Sequence, residues 1–187
     1  MSLLKKNKLI LVIALIAAFW GAAPTKAGAQ ALSHQQLAKK VRKELVTLPL
    51  YGVFDNLAYQ IEGGTVTLYG QVVRPVTRQD AERRIAKLPG VKMLVNNIEV
   101  LPLSNFDDEL RVRTFRAVFS GGGGLHRYGR GVNPSIHIVV NRGHVTLEGV
   151  VANEADRQLA NHAARSVPGV FSVTNNLRAE SSERRAR

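Results

Sequence analysis

The order of apolar and polar positions in this chain predicts the same five elements twice. After Ser33, the residues Leu37, Val41 and Leu45 recur at i, i+4 and i+8, the stripe of an amphipathic helix. Ser33 and Gln36 stand at capping-box spacing, and Pro49 closes the element. Leu57, Tyr59 and Ile61 then alternate with Ala58, Gln60 and Glu62, and Gly63-Gly64 supplies a hairpin turn in which positive φ costs little. In the return strand Val66 and Leu68 are expected inward, with Thr65, Thr67 and Tyr69 outward. A second helix follows Pro75, with Thr77 and Asp80 at capping spacing and Ala81, Ile85 and Leu88 inward. Pro89-Gly90 ends it, and Val91 to Val100 forms the last strand.

The same plan returns downstream in register. Gly64-Thr-Val-Thr-Leu-Tyr-Gly70-Gln-Val72 and Gly143-His-Val-Thr-Leu-Glu-Gly149-Val-Val151 both read G-x-V-T-L-x-G-x-V. Leu88-Pro-Gly-Val91 answers Val167-Pro-Gly-Val170, and Asn96-Asn97-Ile98 answers Asn175-Asn176-Leu177. The matches hold a separation of about 79 residues without a gap, which chance similarity would not do. Upstream, Val41-Arg42 and Val112-Arg113 suggest corresponding first helices at a separation of about 71, placing roughly eight extra residues in the glycine-rich stretch Gly121 to Gly131. The second first-helix is expected from about Asp107 to Phe119, with Asp107, Asp108 and Glu109 suited to the positive end of its dipole. Its hairpin turns at Asn141-Arg142-Gly143, and its second helix spans about Asn153 to Val167. Gly70 and Gly149 sit late in strands, which implies a bulge or close approach by a neighbouring helix.

The expected fold class is therefore α+β: two tandem αββαβ domains, each a three-stranded mixed sheet packed on two helices. The boundaries read as 33–101 for the first and 107–179 for the second, with a linker at 102–106 and a glycine-rich insertion at 120–134. A mobile basic tail is expected at 180–187. The doubled V-T-L-x-G-x-V, with P-G-V and the N-N-[IL] strand endings, resembles the BON family (bacterial osmotic stress and nodulation). Two copies behind an export signal are similar to its osmotically inducible periplasmic members. The resemblance implies an αββαβ fold, no catalytic activity, and a role in binding phospholipid membranes under osmotic or envelope stress. The chain departs from some members in lacking a lipid-attachment cysteine and in carrying the glycine-rich insertion.

Charge and the N-terminus narrow the partners. Lys5, Lys6 and Lys8 precede an apolar run from Leu9 to Ala23, followed by Ala27-Gly28-Ala29: the three parts of a secretory signal peptide, with cleavage expected after Ala29. The run is shorter than the ~20 residues of a membrane span, although retention as an anchor is the alternative. The full chain carries 26 basic and 14 acidic side chains, a formal +12; without residues 1–29 the balance is 22 against 14, or +8. That excess implies an anionic partner or surface. Export disfavours nucleic acid as that partner. With no cysteine there is no disulfide framework, thiolate metal site or cysteine nucleophile.

The candidate chemistry concentrates between Leu110 and Leu147, where Arg111, Arg113, Arg116, Arg127, Arg130 and Arg142 occur with no acidic residue. Arginine makes bidentate contacts to phosphate, and Phe119, Leu125 and Tyr128 are interspersed as apolar side chains able to enter a bilayer surface. Arg111, Arg113, Arg116, Phe119, Leu125, Arg127, Tyr128 and Arg130 are thus the candidate lipid-binding residues. The competing reading is a solvated arginine face beside a flexible loop. A nucleotide loop is disfavoured because no G-K-[ST] follows the glycines. Lys39, Lys40, Arg42 and Lys43 read as the solvated face of the first helix. His137 and His144 are expected on the polar face of the second hairpin, with no third ligand to make a metal site. No nucleophile, base and orienting group occur together, so neither an enzyme, a cofactor nor a small-molecule substrate is expected. The expected partner is an anionic phospholipid surface in the periplasm. The alternative is a scaffold holding another envelope protein or a cell-wall polymer.

Overall fold

The computed structural model describes residues 33–121, 124–131 and 133–180. The expected export segment and all but Glu180 of the expected tail lie outside these. The described chain forms α1 (His34–Val46), β1 (Asn56–Glu62), β2 (Thr65–Val72), α2 (Pro75–Ala86) and β3 (Met93–Val100). It then repeats the series as α3 (Asn105–Ser120), β4 (Ile136–Asn141), β5 (His144–Val151), α4 (Glu154–Arg165) and β6 (Ser172–Ala179). Each half carries a three-stranded sheet, antiparallel across its hairpin and parallel between its second and third strands. The parallel pairing requires a crossover, which α2 and α4 provide.

Two cores follow from the predicted alternation. Leu37, Val41, Leu45, Val66, Leu68, Ala81 and Ile85 are buried in the first; Leu110, Val118, Ile138, Val145, Leu147, Ala160 and Ala164 are buried in the second. The capping box at Ser33 is present in full. Helix α2, however, begins two residues before the expected cap: Pro75 opens it and Thr77 is buried inside it, because proline's fixed φ already suits the first helical position. Both hairpins turn through paired positive φ, Gly63 (57°) and Gly64 (93°) in the first, Arg142 (52°) and Gly143 (80°) in the second. Arg142 is tolerated there because Asp107 holds the turn. Its Oδ2 accepts from the Arg142 backbone N–H and its Oδ1 from that of Gly143, both at 2.8 Å. Asp107 is thus buried and turn-bound, beyond its expected role at the helix dipole.

Gly70 and Gly149 owe their identity to the backbone at the start of the paired strand, where a bulge or a neighbouring helix was the expectation. At φ of 112° and 124°, a Cβ would lie 2.0 Å from the carbonyl oxygens of Asn56 and Ser135, respectively. The first-helix correspondence also changes. Buried Leu37, Val41 and Leu45 match buried Leu110, Thr114 and Val118, each 73 residues further on, so the Val41-Arg42/Val112-Arg113 match does not hold.

The two halves pack against each other through residues 51–55. Strand β4 is a sheet edge, and its Ile138 N–H donates to the Val53 carbonyl at 2.7 Å. Phe54 meets Phe115 edge-on at 6.2 Å, and Phe115 meets Phe119 at 4.9 Å, so this loop of the first half seals part of the second core. His137, expected on a solvated face, instead lies half-buried against Tyr51.

Candidate functional site

The outer face of α3 gathers part of the expected arginine surface and disperses the rest. The helix buries Asp107, Leu110, Arg111, Thr114 and Val118, which leaves Phe106, Glu109, Arg113 and Arg116 exposed along one stripe at i, i+3, i+7 and i+10. Val112 flanks the stripe, and Asp108, Glu109, Val112, Arg113 and Arg116 line a shallow concavity of about 410 Å³. Arg113 pairs with Glu109 one turn earlier. Arg116 makes no ion pair among the described residues.

Four of the expected lipid contacts are interior. Arg111 is 3% exposed; its Nη2 donates to the Val140 carbonyl at 2.8 Å, its Nη1 pairs with Asp108, and its Nε has no partner. It satisfies an open carbonyl of edge strand β4, so it is unavailable to a membrane. Phe119, Leu125 and Tyr128 belong to the second core. The reason lies at Asp156, near the start of α4. It accepts hydrogen bonds from the Tyr128 hydroxyl at 2.6 Å and from Arg127 at 2.5 Å, and Tyr128 itself accepts from the Ala152 N–H at 2.9 Å. These bonds pin the 3-10 turn Leu125–Tyr128 against the domain, with Gly129 seated on the Phe119 ring. Arg127 stays half-exposed, its guanidinium over the Tyr128 ring and its pKa raised by hydrogen bonds to Tyr128 and Asp156. Arg130 is exposed.

Apolar side chains that reach solvent lie elsewhere, and sequence reasoning missed them. Phe106, at the start of the α3 stripe, meets Phe171 at 5.9 Å; they are 43% and 69% exposed. His144 stands edge-on to Phe171, its Nδ1 2.8 Å from the Ser172 hydroxyl. Phe171 covers Gly143 of the Arg142-Gly143 turn, and Arg165 and Phe171 line one small groove. The available signal was the pair of phenylalanines beside turn and linker residues, where no strand or helix period asks for an aromatic. The resulting surface has two aromatic rings at one end and Arg113, Arg116, Arg142 and Arg165 around it, all four exposed.

His137 and His144 are not brought together: on the β4–β5 hairpin His137 faces Glu148, while His144 faces Asn141 beside the turn. Among the described residues no three histidine or acidic side chains group in a way that could hold a metal.

Family-level comparison agrees with this architecture. A family model described as "BON domain" matches residues 33–102 and 129–181. The chain belongs to the BON family. The first matched segment is the whole first αββαβ half; the second covers β4, β5, α4 and β6 of the second half, and α3 with the start of the glycine-rich insertion lies in the break between them. BON domains are non-catalytic binding modules of the cell envelope, associated with phospholipid. Among solved structures, the C-terminal domain of CdsD, the structural protein of the type III secretion system of Chlamydia trachomatis, is similar at 10% identity and a TM-score of 0.30, covering 78% of this chain and 98% of that one. A second CdsD structure matches at 10% identity and 0.31, covering 80% and 96%. No curated protein matches the chain. Among the described residues no helix is long and apolar enough to cross a membrane.

Proposed function

We propose that this protein is exported to the periplasm and associates reversibly with anionic phospholipid through its second BON domain. The observation that carries the reading is the exposed Phe106–Phe171 pair at one end of a stripe holding Arg113 and Arg116, with Arg142 and Arg165 close by. Basic side chains near an anionic surface contribute about 1 kcal/mol each, and aromatic rings settle at the headgroup level. Arg127 and Arg130, on the neighbouring turn, extend the basic surface. Glu109 offsets Arg113, so the attraction is modest and salt-sensitive.

Vesicle co-sedimentation tests it. Binding is expected to phosphatidylglycerol-containing vesicles and not to phosphatidylcholine alone, with release in about 0.5 M NaCl, where screening is nearly complete. The double variants Arg113→Glu/Arg116→Glu and Phe106→Ser/Phe171→Ser are each expected to weaken it at least about tenfold. Equal binding to neutral vesicles, or no effect of either variant, rejects the surface. Capture of a stoichiometric protein partner without any vesicle binding favours a scaffold role instead.

A further inference from the structure

Strands β3 and β6 are end strands of their sheets, so one side of each has no paired strand among the described residues. A row of open N–H and C=O groups on such an edge is a template for pairing with another chain. β3 is a long example: it has 8 residues, with Met93 60% and Val95 36% exposed. Edge strand β4 is closed by the Val53 carbonyl and by Arg111. β3 and β6 use a different device.

The backbone phase of β3 follows from its C-terminal end. Leu101 N–H donates to the Val72 carbonyl at 2.9 Å, so the groups of Asn97 and Glu99 also face β2, and those of Ile98 point away from the sheet. The Ile98 N–H is nonetheless occupied: it donates to Asn96 Oδ1 at 3.2 Å. Asn96 Nδ2 is 2.9 Å from Glu82 Oε2 and 3.5 Å from the Arg78 carbonyl, both on α2. Those two oxygens accept and the Ile98 N–H donates, which fixes the orientation of the amide. In the second domain Leu177 N–H donates to Asn175 Oδ1 at 3.2 Å, and Asn175 Nδ2 donates to the Arg157 carbonyl of α4 at 3.0 Å. Gly149 pairs with Leu177 as Gly70 pairs with Ile98, so the phase is the same. The first asparagine of each N-N-[IL] ending is therefore held by the crossover helix and folded over its own strand's edge.

We infer that Asn96 and Asn175 are edge guards, each occupying an outward N–H of its strand, and that the partner they exclude is a second copy of this chain pairing edge to edge. A strand added at β3 has to break the Asn96 bond and displace an amide that α2 holds. A second copy is the occupant this edge suits, because two-fold antiparallel pairing of β3 with itself continues both sheets and lays the exposed Met93 and Val95 beside partner side chains.

Sedimentation velocity on the full chain, up to about 0.5 mM, tests it. The parent is expected to be monomeric. Asn96→Val/Asn175→Val removes both acceptors, keeps strand propensity, and is expected to self-associate at least about tenfold more tightly. Asn96→Asp keeps the acceptor for Ile98 but loses the donor to α2 and faces Glu82, so it should melt earlier and stay monomeric. Residue-resolved hydrogen exchange supplies a readout that needs no variant: in the parent the Ile98 and Leu177 amides should exchange more slowly than the outward amide of Leu94, and in the valine variant Leu94 should gain protection as the edges pair. A valine variant that stays monomeric, an aspartate variant that self-associates as strongly, a parent already paired through β3, or unprotected Ile98 and Leu177 amides overturns the inference.

Discussion

Replacing Arg111 by methionine separates an interior arginine from its surface neighbours. Methionine keeps most of the apolar stem, so the change removes chiefly the guanidinium. The Val140 carbonyl on edge strand β4 then loses its donor, and a hydrogen bond from a charged donor to a buried carbonyl is worth about 1.5–3 kcal/mol. The ion pair adds little to that loss, because the Asp108 side chain is 59% exposed and water screens it. Removing the unpartnered Nε and the cost of burying a charge offsets part of the loss. A net destabilisation of about 2 kcal/mol results, or roughly 4–8 °C in Tm for a chain of this size. Circular dichroism melts and vesicle co-sedimentation on the same preparations measure both consequences. Arg111→Met is expected to melt early and to bind vesicles normally below its Tm. Arg113→Met should melt within about 0.5 kcal/mol of the parent and lose several-fold in vesicle affinity. If Arg111→Met melts like the parent and loses vesicle affinity as Arg113→Met does, the guanidinium sits at the surface and the packing argument is refuted.

The other predictions concern backbone and protons. Gly149→Ala would place a methyl 2.0 Å from the Ser135 carbonyl at a φ of 124°, and should cost at least about 3 kcal/mol by urea denaturation; Gly52→Ala, with open space around it, should be near neutral. Arg142→Gly relieves a non-glycine left-handed residue and should raise stability by about 1 kcal/mol, while weakening vesicle binding by removing a surface charge. Burial lowers the His137 pKa below 6.5, despite opposing help from the Gly52 carbonyl and from the Asp55 and Glu148 charges. The unfolded chain therefore binds this proton more readily, and stability should fall as pH drops below 6.5 towards the folded-state pKa. Asp55 acts oppositely: burial raises its pKa above 3.8, outweighing the Val73 and Gly52 N–H bonds, so its contribution grows as pH falls through the raised value towards 3.8. Urea midpoints measured from pH 7.5 down to 5 should decline in the parent and stay flatter in His137→Phe; identical profiles would remove His137 as the cause.

The hairpins and crossover helices were legible because each announces itself locally. Val66 and Leu68 alternate at period two, paired positive-φ turns follow from Gly63-Gly64 and Arg142-Gly143, and the doubling at 79 residues fixes the strand register in both halves. Contacts reaching across the sequence were not legible. Leu125 and Tyr128 read as loop residues beside glycine, and only Asp156, 28 residues after Tyr128, turns them inward. Likewise the 51–55 segment resembles a simple connection until its Val53 carbonyl meets the open N–H of Ile138. One clue was present: Ile136-His-Ile-Val-Val140 is nearly continuous in apolar residues where β1 alternates, and continuity signals a strand covered on both faces.

The misread face of α3 shows how little separates an exposed arginine from a structural one. Matching Val112-Arg113 to Val41-Arg42 sets the helices 71 residues apart; the buried residues set them 73 apart. Two residues turn a helix by about 200°, enough to exchange its inner and outer faces. Under the first register Val112 packs inward and Arg111 is solvated. Under the second Val112 is 42% exposed and Arg111 is nearly enclosed. Identity of a Val-Arg pair cannot decide between them, whereas the spacing of Leu110, Thr114 and Val118 can, because only one phase puts all three on a single stripe. Arg113 and Arg116 lie on the outer face in the phase the core enforces, and Phe106 joins them there. The basic surface that results is smaller than composition suggests, and its apolar members come from the helix start and from Phe171 on the opposite segment. Charge counting points to the second domain; helical phase selects which of its side chains are exposed.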